Sequence, residues 1–258
     1  MSVWATHEIQ NGCTYEFRVG PLSVWCSVSA HTWRFGTSRH DDVDGPVSWI
    51  EGSEPPTDLK WKTWIPPEGT VSSIGIRPIL PDRPVVIRPS EPMQVPVSGK
   101  FNCFVEVPLS VGIFLPKSPN QLLVNEPALI LSNTWFGEPT MGDLSYALRS
   151  EFKQSVDDLA VNGHTIVCPL RIRNRAAEPL SIERLCLRVQ YLSVYRGDRF
   201  LWSNESSVSY RGANEWSRLA HGRGAPAFDG ANERLADPFE TPKSRFSLRS
   251  FNFGAEQL

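Results

Sequence analysis

Apolar and polar residues alternate with a period of two along several segments of this chain, and that periodicity limits what the chain can fold into. Every second residue is apolar from Leu22 to Ala30, and the alternation returns in Phe101–Val107 and Leu109–Leu115. Successive side chains of a strand point to opposite faces of a sheet, so each segment is predicted to be a strand with one buried face. The 22 prolines leave little room for long helices, because proline removes a backbone donor and clashes with the preceding turn.

The clearest strand prediction lies within His164–Val189. Its buried face consists of four alternate apolar residues, Ile166, Cys168, Leu170 and Ile172. Arg171 and Arg173 point the other way, toward water. After a turn at 174–178, the apolar phase resumes and then shifts by one residue, which predicts a bulge near 183–184.

Short strands separated by turn residues predict an all-β chain with two β-sandwich-like lobes and an irregular C-terminal tail. We place the first lobe at residues 1–92, the second at 93–212 and the tail at 213–258. A single larger sandwich is the alternative. Six prolines between residues 78 and 96 predict short edge strands in the middle of the chain.

The tail carries five phenylalanines, which a freely solvated segment rarely needs. They are Phe228, Phe239, Phe246, Phe251 and Phe253. We predict that the tail docks these rings on the body of the protein. Proteolytic removal of the residues beyond 213 should therefore lower the melting temperature, and an unchanged melting curve would exclude docking.

Composition and charge limit the setting in which the chain can work. The net charge of −2 gives no global attraction to nucleic acid or to an anionic membrane, so no nucleic-acid partner is expected. No apolar stretch approaches the roughly 18–20 residues of a spanning helix, and no secretory signal is visible. Five cysteines without a CxxC pair predict reduced, buried thiols and a cytoplasmic location.

The first candidate site is the segment 135–139, which reads WFGEP and is followed closely by Asp143. Trp135 and Phe136 beside Glu138 and Asp143 are compatible with a sugar-binding platform or with the acid and base of glycoside hydrolysis. The structural alternative is a strand that ends in a turn shaped by glycine and proline, with the rings in the core.

The second candidate site is the outward set Arg171, Arg173 and Arg175. Alternate positions on a strand place these guanidinium groups on one side, where their forks suit phosphate or carboxylate groups. Arg184 and Arg188 on the returning strand are expected to extend this arginine stripe. The structural alternative is a solvated sheet face whose charges discourage edge pairing.

The common signatures of catalysis are missing from the sequence, so binding ranks above enzymatic activity. The chain has no GxSxG elbow, no GxxxxGK phosphate loop and no HExxH pair. The acidic run after Arg39 lacks calcium-loop spacing and is interpreted as a polar hairpin loop. We therefore assign no catalytic residue, metal or cofactor from the sequence.

Four segments resemble a prokaryotic family catalogued as domain of unknown function four-three-two, mainly over residues 121–212. They are LSNTWFGEP at 131–139, GDLSYALR at 142–149, IRNRAAEPLSIER at 172–184 and YLSVY at 191–195. The resemblance implies no catalytic residue. It implies an association with genes for small-conductance mechanosensitive-type channels, and hence a cytosolic accessory partner of a membrane channel.

Two functional hypotheses follow. The first is a non-enzymatic cytosolic interaction protein, an accessory or regulatory subunit, held at the inner face of the membrane through a channel partner. The alternative is a carbohydrate-binding or glycoside-processing β-sandwich protein, supported by the nine tryptophans and the carboxylates of the first site.

Overall fold

The computed structural model describes residues 3–29, 32–65, 73–116, 118–140, 142–212 and 217–241. Within them lie 22 strands and two short 3-10 helices, Val156–Asp158 and Val189–Tyr191. The first eleven strands are β1 Thr6–Glu8, β2 Thr14–Val19, β3 Leu22–Ser29, β4 Thr32–Arg39, β5 Ser48–Glu51, β6 Lys62–Trp64, β7 Ser73–Ile79, β8 Val85–Arg88, β9 Met93–Val95, β10 Lys100–Pro108 and β11 Ser110–Leu115. The others are β12 Ser118–Pro127, β13 Ser132–Phe136, β14 Asp143–Arg149, β15 Thr165–Asn174, β16 Leu180–Ile182, β17 Leu185–Leu187, β18 Val194–Arg196, β19 Leu201–Ser203, β20 Ser206–Tyr210, β21 Arg218–His221 and β22 Glu233–Ala236.

One compact unit comprises residues 1–79, 108–129 and 162–164. It contains a five-stranded sheet in the order β5-β2-β3-β4-β6 and a four-stranded sheet in the order β1-β7-β11-β12. The strand predicted at Leu22–Ala30 is β3, but it is buried on both faces from Leu22 to Val28. The prediction of a single buried face was wrong there. Its second face is polar yet satisfied, because Ser23 donates to Glu16 and Trp25 donates to Ser38.

The other compact unit comprises residues 80–107, 130–161 and 165–258. Its largest sheet has the order β21-β20-β15-β19-β18-β22, with β10 also paired to β15. A four-stranded sheet has the order β13-β14-β8-β17, and β16 pairs with β9. The predicted all-β class is confirmed, and each of the two units contains more than one sheet, as β-sandwich-like lobes require.

The hairpin of β11 and β12 shows how the units differ from a simple division along the sequence. The predicted boundary near residue 92 placed this hairpin in the second lobe. In the structure β11 pairs with β7, with Ser110 opposite Ile79, so the hairpin lies in the unit formed by the first strands. Periodicity marks a strand but does not identify its partner.

Two local predictions in the middle of the chain were wrong. Strand β8 is central, between β14 and β17, although prolines flank it. Pro84 and Pro89 lie just outside the strand, so it loses no ladder donor. No bulge forms at Glu183-Arg184; instead the chain leaves β16, paired with β9, and enters β17, paired with β8. The shift in apolar phase marks a change of sheet.

Other local predictions are confirmed. In β15 the four alternate apolar residues are at most 2% exposed, whereas Arg171 is exposed and Arg173 is half-buried. Strands β18 and β19 form a hairpin through Gly197-Asp198. All five cysteines are free and four of them are buried, whereas Cys13 is half-buried; burial raises the pKa of the Cys103, Cys168 and Cys186 thiols to about 12. In the described part of the chain, no helix has the length and apolar character needed to cross a bilayer.

The segment after residue 212 is more regular than its composition indicates. It supplies β21, which pairs with β20, and β22, which pairs with β18. The Phe228 ring lies 5.0 Å from Phe104 and stacks on Trp202 at 5.6 Å. Phe239 is exposed. Phe246, Phe251 and Phe253 lie outside the described residues.

Asp229 ties this segment to the turn between β18 and β19. Its carboxylate accepts hydrogen bonds from the Trp202 indole at 3.0 Å and from the backbone N–H groups of Arg199 and Phe200 at 2.9 Å each. Burial alone would raise the pKa of Asp229, but these hydrogen bonds favour the charged form and hold its pKa below the usual range.

We expect Asp229→Ala to lower the free energy of unfolding by about 2–4 kcal/mol, because three donors lose their buried acceptor. The lowered pKa of Asp229 also predicts how its contribution to stability changes with pH. The stabilisation is fully present above the unfolded-state pKa and is lost as the pH falls through the lower folded-state pKa. Denaturant unfolding of both proteins at several acidic pH values measures the difference. Asp198→Ala, which removes an exposed carboxylate from the same turn, is the control and should change stability little.

Candidate functional site

The predicted arginine stripe divides into residues with different environments. Arg171 forms an ion pair with Glu205 at 2.9 Å. Arg188 is buried and binds the carboxylate of Asp143. The Arg184 guanidinium lies 5.7 Å from the centre of the Phe136 ring. The chain changes sheet at 183–184, which separates Arg184 and Arg188 from the arginines of β15. The predicted stripe of five arginines therefore does not form.

Arg173 and Arg175 instead lie together in an open concave site of about 370 Å³. Its lining residues, which we call the cationic pocket, are Ser98, Gly99, Lys100, Arg173, Asn174 and Arg175. Lys100 opens β10, which pairs with β15, so strand pairing brings a third cation to the two arginines. Within the described residues, these three cations have no carboxylate partner at ion-pairing distance. The pocket therefore concentrates positive charge in a chain whose net charge is −2.

Asn174 holds the backbone on both sides of the cationic pocket. It is 2% exposed, and its side-chain N–H groups donate to the carbonyls of Val95, Pro96 and Glu178 at 2.8–3.2 Å. Its side-chain oxygen accepts from the Ala176 N–H at 2.9 Å. One buried amide thus fixes the turn before β10 and the turn after β15.

The turn before β10 is itself constrained. The Gly99 N–H donates to the Pro96 carbonyl at 2.9 Å, and a Cβ at Gly99 would lie 2.7 Å from that oxygen. Ser98 has a φ of +60°, a left-handed conformation that is uncommon outside glycine. This backbone places Ser98 and Lys100 beside Arg173 in a fixed arrangement.

The first candidate site, which we call the aromatic turn, lies in the hairpin between β13 and β14, where Phe136 is paired with Asp143. Trp135 is 47% exposed, and its indole donates to the Glu138 carbonyl at 3.0 Å. Phe136 points to the other side and is buried with Val86 and Cys186. Gly142 is required by the turn, because a Cβ there would lie 2.6 Å from the Phe136 carbonyl oxygen and would also meet the Trp135 indole.

The two carboxylates of this turn have different surroundings. Asp143 opens β14 opposite Phe136, and it is neutralised by the buried Arg188. Glu138 is exposed in the loop. The structure therefore brings Trp135 and Glu138 together by a backbone contact and commits Asp143 to an ion pair, an arrangement that does not present two free carboxylates to one substrate.

A buried polar cluster around Arg188 was not foreseen from the sequence. The Ser206 hydroxyl lies 2.9 Å from Nδ1 of His221, and burial together with the nearby Arg188 lowers the pKa of His221 to about 4. Ser206 has no exposed surface, so this Ser–His pair is closed to a substrate. There was little indication of this cluster in the sequence, because a serine and a histidine in a segment without clear periodicity do not show whether they are buried. Among the described residues, no group of three or more His, Cys, Asp or Glu side chains could hold a metal ion.

The chain is all-β and forms two compact units, one of which carries the cationic pocket. Its described residues contain no metal-ligating cluster. The chain belongs to the family described as Protein of unknown function (DUF432), which matches residues 3–254. The match extends well beyond the residues 121–212 on which the sequence resemblance was based. No curated protein and no solved structure matches the chain.

Replacing Asn174 tests whether one amide holds the pocket. We expect Asn174→Ala to lower the free energy of unfolding by about 2–4 kcal/mol, because four backbone groups lose their partner. Hydrogen exchange should also show faster exchange of the Ala176 and Gly99 amides. Asn133→Ala, which truncates an exposed asparagine on β13, is the matched control. An Asn174→Ala protein as stable as the wild type would show that the turns are held by other contacts.

Proposed function

We propose that this protein is a non-enzymatic interaction protein, an accessory or regulatory subunit that binds an extended segment of another protein along the free edge of β13. The observation that carries the proposal is an uncharged, partly apolar edge strand. In the described residues β13 pairs only with β14, in a regular register from Ser132 to Phe136. An edge strand exposes unpaired backbone groups that can accept another strand.

The side chains of this edge support the same proposal. Trp135 and Leu144 are opposite each other on β13 and β14, and they are 47% and 45% exposed. Ile130, just before β13, is 73% exposed. Native edges are commonly protected by lysine, proline or a bulge, and none of these occurs between Ile130 and Phe136.

Polar groups border this apolar pair on one side. The Tyr146 hydroxyl donates to Asp82 at 3.0 Å, and the Arg83 guanidinium lies 5.6 Å from the centre of the Tyr146 ring. An apolar centre with a polar rim is the usual organisation of a protein interface. The arrangement favours a protein partner over a small apolar ligand.

The identity of the partner is supported by the family resemblance. On that basis we propose the cytosolic part of a small-conductance mechanosensitive-type channel as the partner. The protein would then be cytoplasmic and peripheral to the inner face of the membrane, held there through the channel.

A charged residue at the edge should weaken the interaction. We expect Trp135→Lys to weaken partner binding at least about tenfold, because aromatic residues at the centre of an interface contribute much of its binding energy. Tagged wild-type protein purified from detergent-solubilised cells supplies the complex, and quantitative mass spectrometry compares the variants. Val161→Ala, which truncates another exposed apolar side chain of the same unit, should bind normally.

Strand addition has a readout of its own. The amides of β13 should become protected from hydrogen exchange in the complex, because edge N–H groups gain partners. Equal capture of the channel by wild type and Trp135→Lys would contradict the proposal. So would a complex in which β13 exchanges as fast as in the free protein.

The second candidate function is carbohydrate binding, favoured by the half-exposed Trp135 ring beside Glu138. Oligosaccharides would then quench the tryptophan fluorescence of the wild type and not that of Trp135→Ala. That result, without a protein partner, would replace the first proposal.

A further inference from the structure

The cationic pocket carries an inference that is independent of the β13 edge. Arg171 and Arg173 are on the same strand and face, yet among the residues that the structure describes only Arg171 has a carboxylate partner, Glu205. In the described part of the chain, Lys100, Arg173 and Arg175 gather without a counter-charge. Like charges held close together oppose folding, so a cluster of this kind is stabilised when an anion binds between them.

The pocket is built before any ligand arrives. Asn174 fixes the turns on both sides, and Gly99 tolerates no side chain at its position. Ser98 is held at positive φ, a conformation that costs free energy and is found preferentially at ligand sites. Groups fixed in advance lose less entropy on binding, which increases affinity.

The chemistry of the lining selects the anion. A single carboxylate satisfies one guanidinium fork, whereas two guanidinium groups, an ammonium group and the Ser98 hydroxyl offer donors from several directions. A tetrahedral phosphate has three free oxygens and a charge near −2 at neutral pH, and it matches this set better. The volume of about 370 Å³ is within the range of small-molecule sites and leaves room for an organic group on the phosphate.

We propose that the cationic pocket binds a phosphate monoester in its dianionic form. The same chemistry occurs in soluble phosphate esters and in the headgroup of phosphatidic acid, so the site accepts either source if the phosphate is accessible. Arg173 and Arg175 hold the phosphate oxygens, Lys100 adds charge, and Asn174 is a positioning residue.

Calorimetric titration of the full chain with glycerol 3-phosphate tests the proposal. We expect saturable binding at pH 7.5 that weakens markedly at pH 5.5, because the monoester loses its second charge near pH 6. Dimethyl phosphate, a diester that keeps one charge, should bind at least about tenfold more weakly. Arg173→Gln and Arg175→Gln should each weaken binding about tenfold, whereas Arg171→Gln should change it less than about twofold.

A vesicle experiment distinguishes the two sources. Phosphatidylcholine vesicles with phosphatidic acid are compared with vesicles containing phosphatidylglycerol, a diester lipid, at the same mole fraction. Binding of glycerol 3-phosphate or of phosphatidic acid, weakened about tenfold in Arg173→Gln, supports the site. Which of the two monoesters binds identifies the source of the phosphate. The proposal would be overturned if monoester and diester bound with equal affinity, or if neither monoester bound. It would also be overturned if Arg171→Gln lost as much affinity as Arg173→Gln.

Two controls keep the result interpretable. Unchanged melting curves show that the arginine variants fold, and Arg175 is exposed, so its replacement leaves the core intact. Trp135→Lys should leave phosphate binding unchanged, so this proposal and that of the β13 edge fail separately.

Discussion

Strand β15 is the element on which the cationic pocket and the largest sheet depend. It pairs with β10, β19 and β20, and its residues Ile166, Cys168, Leu170 and Ile172 are buried. Each buried aliphatic side chain contributes roughly 1.5–3 kcal/mol, so the burial of Ile166, Leu170 and Ile172 opposes a change in the register of the strand. The same register fixes where Arg173 and Asn174 emerge at its end.

Asn174 shows how the strand end becomes a site. An amide buried without partners would cost free energy, yet this one donates to three carbonyls and accepts one N–H. Fully satisfied buried polar groups specify a single arrangement, because an alternative arrangement leaves some of them unpaired. The result is a rigid frame from which the charged residues project into water.

The sequence was informative about strands and less so about their neighbours. Alternation identified β3, β11 and β15, since apolar side chains recur at every second residue on at least one buried face of each strand. It could not show that β8 is central, because flanking prolines resemble edge-strand prolines until the partners are known. Nor could it place Lys100 beside Arg173, since that contact depends on the pairing of β10 with β15.

The arginines show why residue type alone could not define the site. Arg171, Arg173 and Arg188 have the same side chain, but Arg171 forms an exposed ion pair, Arg173 lines the pocket, and Arg188 is buried and paired with the partly exposed Asp143. An exposed pair contributes little, whereas a buried guanidinium that loses its carboxylate is left uncompensated and destabilises the fold. Arg188 therefore stabilises the start of β14, and with it the hairpin that holds the Trp135 ring. The hairpin requires Gly142 and an Asp143 that is paired with Arg188, and the Trp135 indole is held by its hydrogen bond to Glu138. The ring is therefore exposed because the hairpin holds it there.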